Sequence, residues 1–389
     1  MSWEEKDRMS LRKEFVIQAI KNDINMAELC RHYNISRKTG YKWLNRYLDN
    51  KKESFQNLKT TPRFQPNASP ASTVKSIVKI REKHPAWGAR KIKVILEKEY
   101  DNVPSKSTIH RILKANGYVE ENTKNKSYLN RFERDEPNQL WQMDFKGHFP
   151  YAKGRCHALT ILDDHSRFSI SLNACKYQTG NAIKPLLISA FRRYGLPEQI
   201  NVDNGNPWGS VFEHGPYTTF GIWLIQLGIK LTHSRPHHPQ TNGKIERFHR
   251  TLKAEVLGTQ YFRNLIHIQR KFDEWRDIYN LSRPHEGINM EVPAQRYEPS
   301  YRLYPEKVIP INYAFDYDVR KVDSRGRISI EGRQIFIGVP FAQSMIGIRN
   351  NDELTQIYYS HQKLGDIDLS SIPKRTITNL YSKRVTELY

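Results

Sequence analysis

Apolar positions along this chain fall into three successive textures, and the first is helical. Over 11–21 (LRKEFVIQAIK), Phe15, Val16, Ala19 and Ile20 follow the i, i+1, i+4, i+5 spacing of one helix face. A short second helix is predicted at 26–33, where Ala27, Cys30 and Tyr33 share a face. Asn34 suits a left-handed turn and Ser36 an N-cap, after which a third helix runs through RKTGYKWLNRYL. On it Trp43, Leu44, Tyr47 and Leu48 point inward, leaving Arg37, Lys38, Tyr41, Lys42 and Arg46 outward. That is the layout of a helix-turn-helix offering cations and hydroxyls to a major groove. A three-helix bundle with a solvated basic face has the same pattern, and the net charge of the region favours the DNA-binding reading.

Residues 54–72, with Pro62, Pro66 and Pro70 and little periodicity, read as a linker between this domain (1–53) and a second helical unit at 73–120. There Val74, Ile77 and Ile80, then Ile92, Ile95 and Leu96, then Ile109, Ile112 and Leu113 mark three helices. The last helix, opened by Ser105, leaves Lys106, Ser107, Thr108, His110, Arg111 and Lys114 to face a ligand. Two such units on a flexible linker can span neighbouring grooves and gain affinity through effective concentration. A polar run at 121–136 leads onward.

The texture then becomes that of strands. LWQMDFKGHF and HALTILDDHSRFSISLN alternate, with Asp163-Asp164 at a turn, before an amphipathic helix at 182–194 and the short strand QINV. A further helix and strand, a Pro/Gly-rich loop and a long helix from about Asn242 follow, so 137–300 is expected to be a mixed sheet with helices on both faces. Short β runs at 310–370 predict a small β-barrel, and 371–389 a loosely held basic tail.

Charge narrows the class of partner. Lys and Arg number 62 against 41 Asp and Glu, a net +21, of which residues 1–136 carry +12 (29 basic, 17 acidic). A polyanion is the leading partner, and enzymes of small neutral metabolites are disfavoured. Cys30, Cys156 and Cys175 form no CxxC pair, and no other ligand cluster completes a zinc site around the three histidines of HSRPHHPQTNGK. The absence of an 18-residue apolar run and the charged N-terminal segment lead us to expect a cytoplasmic, nucleoid-associated protein. There is no P-loop.

Three acids lie where the sheet hands over to a loop or helix: Asp144 in the first strand, Asp203 just past QINV, and Glu246 on NGKIERFHRTLKAEVL. Taken singly, each has an innocent reading as an edge polar group, a turn or a surface glutamate. Together they make a hard all-oxygen site suited to Mg²⁺, with Mn²⁺ as a substitute, and hence to phosphodiester hydrolysis or transfer. Arg250 and Lys253 follow Glu246 at i+4 and i+7 on the same helix face, and Lys244 precedes it. These cations are expected to contact DNA.

The motifs WQMDF, ILDDHSRF, VDNGNPW and HPQTNGKIERFHRTL, in that order, resemble the catalytic core of DDE transposases of bacterial insertion sequences, the branch similar to retroviral integrases. The likeness extends over roughly residues 5–300, including HPAWGARKI and STIHRILK. It implies a ribonuclease-H-like core with Asp144, Asp203 and Glu246 as a metal-binding triad, terminal-repeat and target DNA as partners, and at least a dimer on DNA. Two departures stand out. The 42 residues between Asp203 and Glu246 exceed the family's common spacing, with SVFEHGPYT as the apparent insertion, and the zinc domain of retroviral integrases is replaced by helix-turn-helix units. The resulting expectation is an enzyme that cleaves element ends and joins the freed 3′ hydroxyl to target DNA. A regulator with a vestigial triad and a nuclease that cuts without joining are the alternatives.

Overall fold

The computed structural model describes residues 8–21, 25–49, 55–57, 68–119, 133–203, 205, 207–208, 216–233, 243–258, 260–307, 310–351 and 354–381. The chain divides into two compact units, 1–68 and 69–389.

The first unit contains α1 (Arg8–Ile20), α2 (Met26–His32) and α3 (Arg37–Asp49). Phe15, Val16, Leu29, Cys30 and Trp43 form its core. Asn34 takes the left-handed turn (φ 51°), and Ser36 Oγ accepts from Thr39 N–H at 3.2 Å, capping α3. Gly40 is required by close approach: a Cβ there would meet Cys30 Sγ at 2.6 Å and Phe15 Cζ at 2.8 Å. Two sequence assignments change. Leu48, expected inward, is 61% exposed, because it falls in the last turn of α3 beyond the reach of α1 and α2. Arg46, expected to face DNA, lies over the Trp43 ring (5.0 Å) and donates to the Gln56 carbonyl at 3.5 Å.

The second unit opens with α4 (Ala71–Lys83), α5 (Ala89–Leu96) and α6 (Lys106–Ala115), packed around Ile77, Trp87, Ile92, Leu96, Ile109 and Leu113. Ser105 caps α6 by accepting from Thr108 N–H. This unit is docked on the sheet domain. Ile278 of the domain packs into its core, Lys91 Nζ donates to the Pro284 carbonyl at 2.9 Å in a buried setting, and Arg90 pairs with Glu286. Burial, with Arg283 nearby, pushes the Lys91 ammonium down to about 8.

The central sheet has the order β3-β2-β1-β4-β5. β1 (Leu140–Tyr151), β2 (Gly154–Asp163) and β3 (Ser169–Cys175) run antiparallel, whereas β4 (Gln199–Val202) lies parallel to β1, and β5 (Lys230–His233) parallel to β4. Alternation along the strands sends Trp141, Met143, Leu159 and Ile161 to one core, under α7 (Gly180–Tyr194) and α8 (Thr219–Gln226). Cys156, Ala158 and Leu162 face the other, under α9 (Gly243–Leu252), its π-helical continuation Lys253–Leu257, and α10 (Leu265–Leu281). The expected mixed sheet covered on both faces is therefore present.

The C-terminal region departs from expectation. β6 (Asp318–Lys321), β9 (Met345–Asn351), β10 (Leu354–Tyr359) and β11 (Gln362–Ile367) form one sheet, β7 (Arg327–Ile330), β8 (Arg333–Phe336) and β12 (Ile377–Asn379) another, and no closed barrel appears among the described residues. Both sheets share the core of the α7/α8 face, with Gln226 Nε2 donating to the Tyr359 hydroxyl at 2.7 Å. The expected loose tail is in part structural: β12 pairs with β8, and Ile372, Leu380 and Tyr381 are buried. Among the described residues no helix is long and apolar enough to cross a membrane.

Gly40→Ala should loosen the first unit by roughly 1–3 kcal/mol through overpacking. Limited proteolysis of the full chain should then release the N-terminal segment sooner while the main melting transition stays in place; equal protection would show that α3 can step back at no cost.

Candidate active site

Asp144 stands in the middle of β1, opposite Thr160 of β2 on the face covered by α9 and α10. The parallel β1–β4 register pairs Gln142 with Asn201, and its extension by two residues sets Asp203, just past the end of β4, beside Asp144. The segment after Asp203 is drawn in by Trp208, which is buried and stacks on Phe145 at 5.6 Å. Gly205 N–H donates to Asp203 Oδ1, and the Asp203 carbonyl hydrogen-bonds His233 Nδ1 of β5. Glu246 occupies the first turn of α9 and is exposed.

The half-buried Asp144 carboxyl registers its two partners. Burial pushes it up first, the Asp203 charge adds to the rise, the Phe145 N–H opposes it and Glu246 contributes a further increase, to about 7. Three carboxylates thus bear on one patch of the sheet. Among the described residues, however, no group of three His, Cys, Asp or Glu side chains stands in an arrangement that could hold a metal ion. The donor chemistry nonetheless fits a hard divalent cation, since the three carboxylates offer only oxygen. Gln142 Oε1, two residues earlier on the same face, is buried without a hydrogen-bond donor and could accept from the water shell of such a cation.

α9 packs on this face through Phe248 and Leu252, and Ile245 is also buried. His249 Nε2 lies 3.0 Å from Thr160 Oγ1, and burial, aided by Lys146, pushes that imidazole down to about 3, so it is neutral at physiological pH. Lys244, expected to touch DNA, is instead turned inward: its ammonium pairs at 2.5 Å with the fully buried Asp164, which also accepts from Gln142 Nε2 and Arg134 N–H. Burial lowers this ammonium to about 8 despite its anionic partner. A Lys in the first turn of α9 reaches the β2–β3 turn, a contact invisible to helix periodicity.

The other expected DNA contacts remain at the surface. Arg250 and Lys253 are exposed, and Lys253 bears on Lys146 of β1 by charge. Arg37, Lys38, Tyr41 and Lys42 are exposed on α3, as are Lys106 and Arg111 on α6, while Thr108 is half-buried. The histidine-rich loop lies almost wholly outside the described residues, as does most of the insertion around SVFEHGPYT. Sequence reasoning missed Thr160 and His249, although His249 lies one helical turn past Glu246 in the very motif that carries the resemblance.

Comparison with known families agrees with this architecture. Integrase core domain models match residues 134–239 and 227–293, a helix-turn-helix domain 11–63, a homeodomain-like domain 39–113, and the C-terminal domain of IS481 family transposases 317–374. The chain is 27% identical over 257 residues to an uncharacterized 39.2 kDa protein of insertion element IS476 from Xanthomonas euvesicatoria, covering 64% of this chain and 72% of that one. It is 23% identical to an uncharacterized 31.7 kDa protein of insertion element IS407 from Burkholderia multivorans, over 56% of this chain and 78% of the relative. Among solved structures, a chain of the simian T-cell lymphotropic virus intasome matches 74% of this chain and 98% of its own length at 17% identity, with a TM-score of only 0.37. An integrase core behind helix-turn-helix DNA-binding units defines a polynucleotidyl transferase. Together these matches support a DDE transposase of the insertion-sequence type.

Raised from its ordinary 3.8 to about 7, Asp144 binds a proton in the folded state that the unfolded chain has already lost, so its ionisation costs stability as pH rises from about 4 through 7. Asp144→Asn should therefore raise Tm at pH 8 in chelator by a few degrees, an advantage that disappears at pH 4. Added Mg²⁺ should raise the wild-type Tm and leave the variant's unchanged. A variant that melts lower than wild type at pH 8 would contradict the crowding of charge at this patch.

Proposed function

We propose that this transposase binds the terminal inverted repeats of its element through the exposed faces of α3 and α6, cleaves at the element ends and joins the freed 3′ hydroxyl to target DNA with Mg²⁺. The observation that carries the reading is the Asp144 carboxyl, raised by burial and by the charges of Asp203 and Glu246 together. Acids far apart in sequence act on one point of the sheet, and repulsion of that kind is relieved by a divalent cation.

Asp144 and Asp203 would hold the ions between them, and Glu246 would complete the second site from α9. When bound, such a pair activates the attacking water or hydroxyl and stabilises the leaving oxygen of the phosphodiester. Closing the site needs Glu246 to swing toward the sheet, which its exposed first-turn position permits. Arg250 and Lys253, with Lys146, offer cations along the same edge to hold the phosphates flanking the scissile bond. Two ends must be held for concerted joining, so the active form is at least a dimer assembled on DNA.

The test is strand transfer of an end-containing duplex under Mg²⁺. Wild type should yield joined products and Asp203→Asn none, with end affinity in chelator retained. Joining by Asp203→Asn at the wild-type rate would refute the assignment, cleavage without joining by wild type would favour a nuclease, and no reaction at all a regulator. Separately, Lys42→Ala should weaken end binding equally on specific and random duplex and lower the salt slope by about one if Lys42 contacts phosphate. Unchanged affinity and slope would remove α3 from the interface.

A further inference from the structure

The orientation of α9 about its own axis decides where Glu246 points, and an apolar stripe is a poor guide to it. Ile245, Phe248 and Leu252 are greasy contacts that tolerate some rolling of the helix on the sheet. With about 100° between successive residues, His249 falls on the flank of this stripe that adjoins Glu246 and Lys244 on the opposite flank. Each makes a directional polar contact to the sheet. His249 Nε2 meets Thr160 Oγ1 at 3.0 Å, and Thr160 is fully buried and the cross-strand partner of Asp144. Lys244 Nζ meets the fully buried Asp164, itself held by Gln142, which lies two residues before Asp144 on the same face.

We infer that these two contacts form a rotational lock: Thr160–His249 and Asp164–Lys244 pin both flanks of α9 to the β1–β2 hairpin, so that Glu246 is presented toward Asp144. The inference rests on the metal-site reading above. Thr160, His249, Asp164 and Lys244 are positioning residues that act through Glu246 and touch neither metal nor DNA. Both anchors lie on β2 or at its end, the strand paired to β1, so the lock ties the third acid to the hairpin that carries the first. This also gives the two motifs ILDDHSRF and NGKIERFH a joint role, since one supplies Asp164 and the other both Lys244 and His249.

The experiment uses the full-length chain without DNA and reads binding of Mn²⁺ from the loss of the free-ion electron paramagnetic resonance signal. Thr160→Val keeps the shape and removes the hydroxyl; it should weaken Mn²⁺ binding by roughly three- to tenfold, the size of one lost hydrogen bond. Thr160→Ser, which restores the hydroxyl, should recover wild-type binding. Lys244→Met combined with Asp164→Asn, which removes both charges together, should weaken binding similarly and still melt cooperatively. All variants should retain wild-type affinity for end-containing duplex in chelator, and strand transfer by Thr160→Val should need a correspondingly higher Mg²⁺ concentration for half its maximal rate. Wild-type Mn²⁺ binding by Thr160→Val, or equally weak binding by Thr160→Ser, would overturn the lock. Asp144→Asn serves as the control: if it leaves Mn²⁺ binding intact, the metal-site reading itself falls, whereas loss there with none in Thr160→Val sinks only the lock.

Discussion

Charge repulsion among carboxylates is the constraint around which the second unit is arranged. A strand in the centre of a sheet is the most apolar setting the fold has, and Asp144 sits there with Asp203 and Glu246 both raising the cost of its ionisation. Natural cores rarely keep an acid in such a position without a cationic partner. The nearby lysines are disposed differently: Lys244 is consumed by Asp164, while Lys146 and Lys253 bear on one another. The protein thus holds a local excess of negative charge against a strongly positive whole, an arrangement that suits a site for small cations facing a large polyanion.

Local features were the legible ones. The faces of α4, α5 and α6, the left-handed Asn34 and the caps Ser36 and Ser105 depend on neighbours within a few residues, and the structure bears them out, whereas Ile20 and Leu48 at the ends of α1 and α3 are exposed. The mixed sheet was legible because alternating strands followed by helix–strand repeats leave few topologies open. The positions of Asp144 within the first strand, Asp203 just past a strand end and Glu246 at a helix start were readable for the same reason.

What escaped depends on contacts distant in sequence. Arg46 carries the charge of a DNA ligand and the phase of an outward residue, yet Trp43 and the Gln56 carbonyl claim it. Lys244 could be recognised as structural only by knowing that Asp164, eighty residues earlier, is buried beneath it. Short β runs past Pro310 announce strands but say nothing of closure, so two sheets sharing the α7/α8 core read as a barrel. β12 looked like tail because its partner, β8, lies some forty residues back and the pairing is parallel.

The docking of α4–α6 on the sheet domain has a bearing on how such an enzyme could change its specificity. Because Lys91 and Ile278 fasten that helical unit to the body carrying Asp144, the span from α6 to the sheet is a built-in gauge, set by packing and not by linker length. If the outer face of α6 reads element ends, as proposed, substitutions there would change which bases are read while the gauge stayed the same. On that proposal, a lineage carrying this chain would drift to new end sequences without losing the measure that tells it where to act.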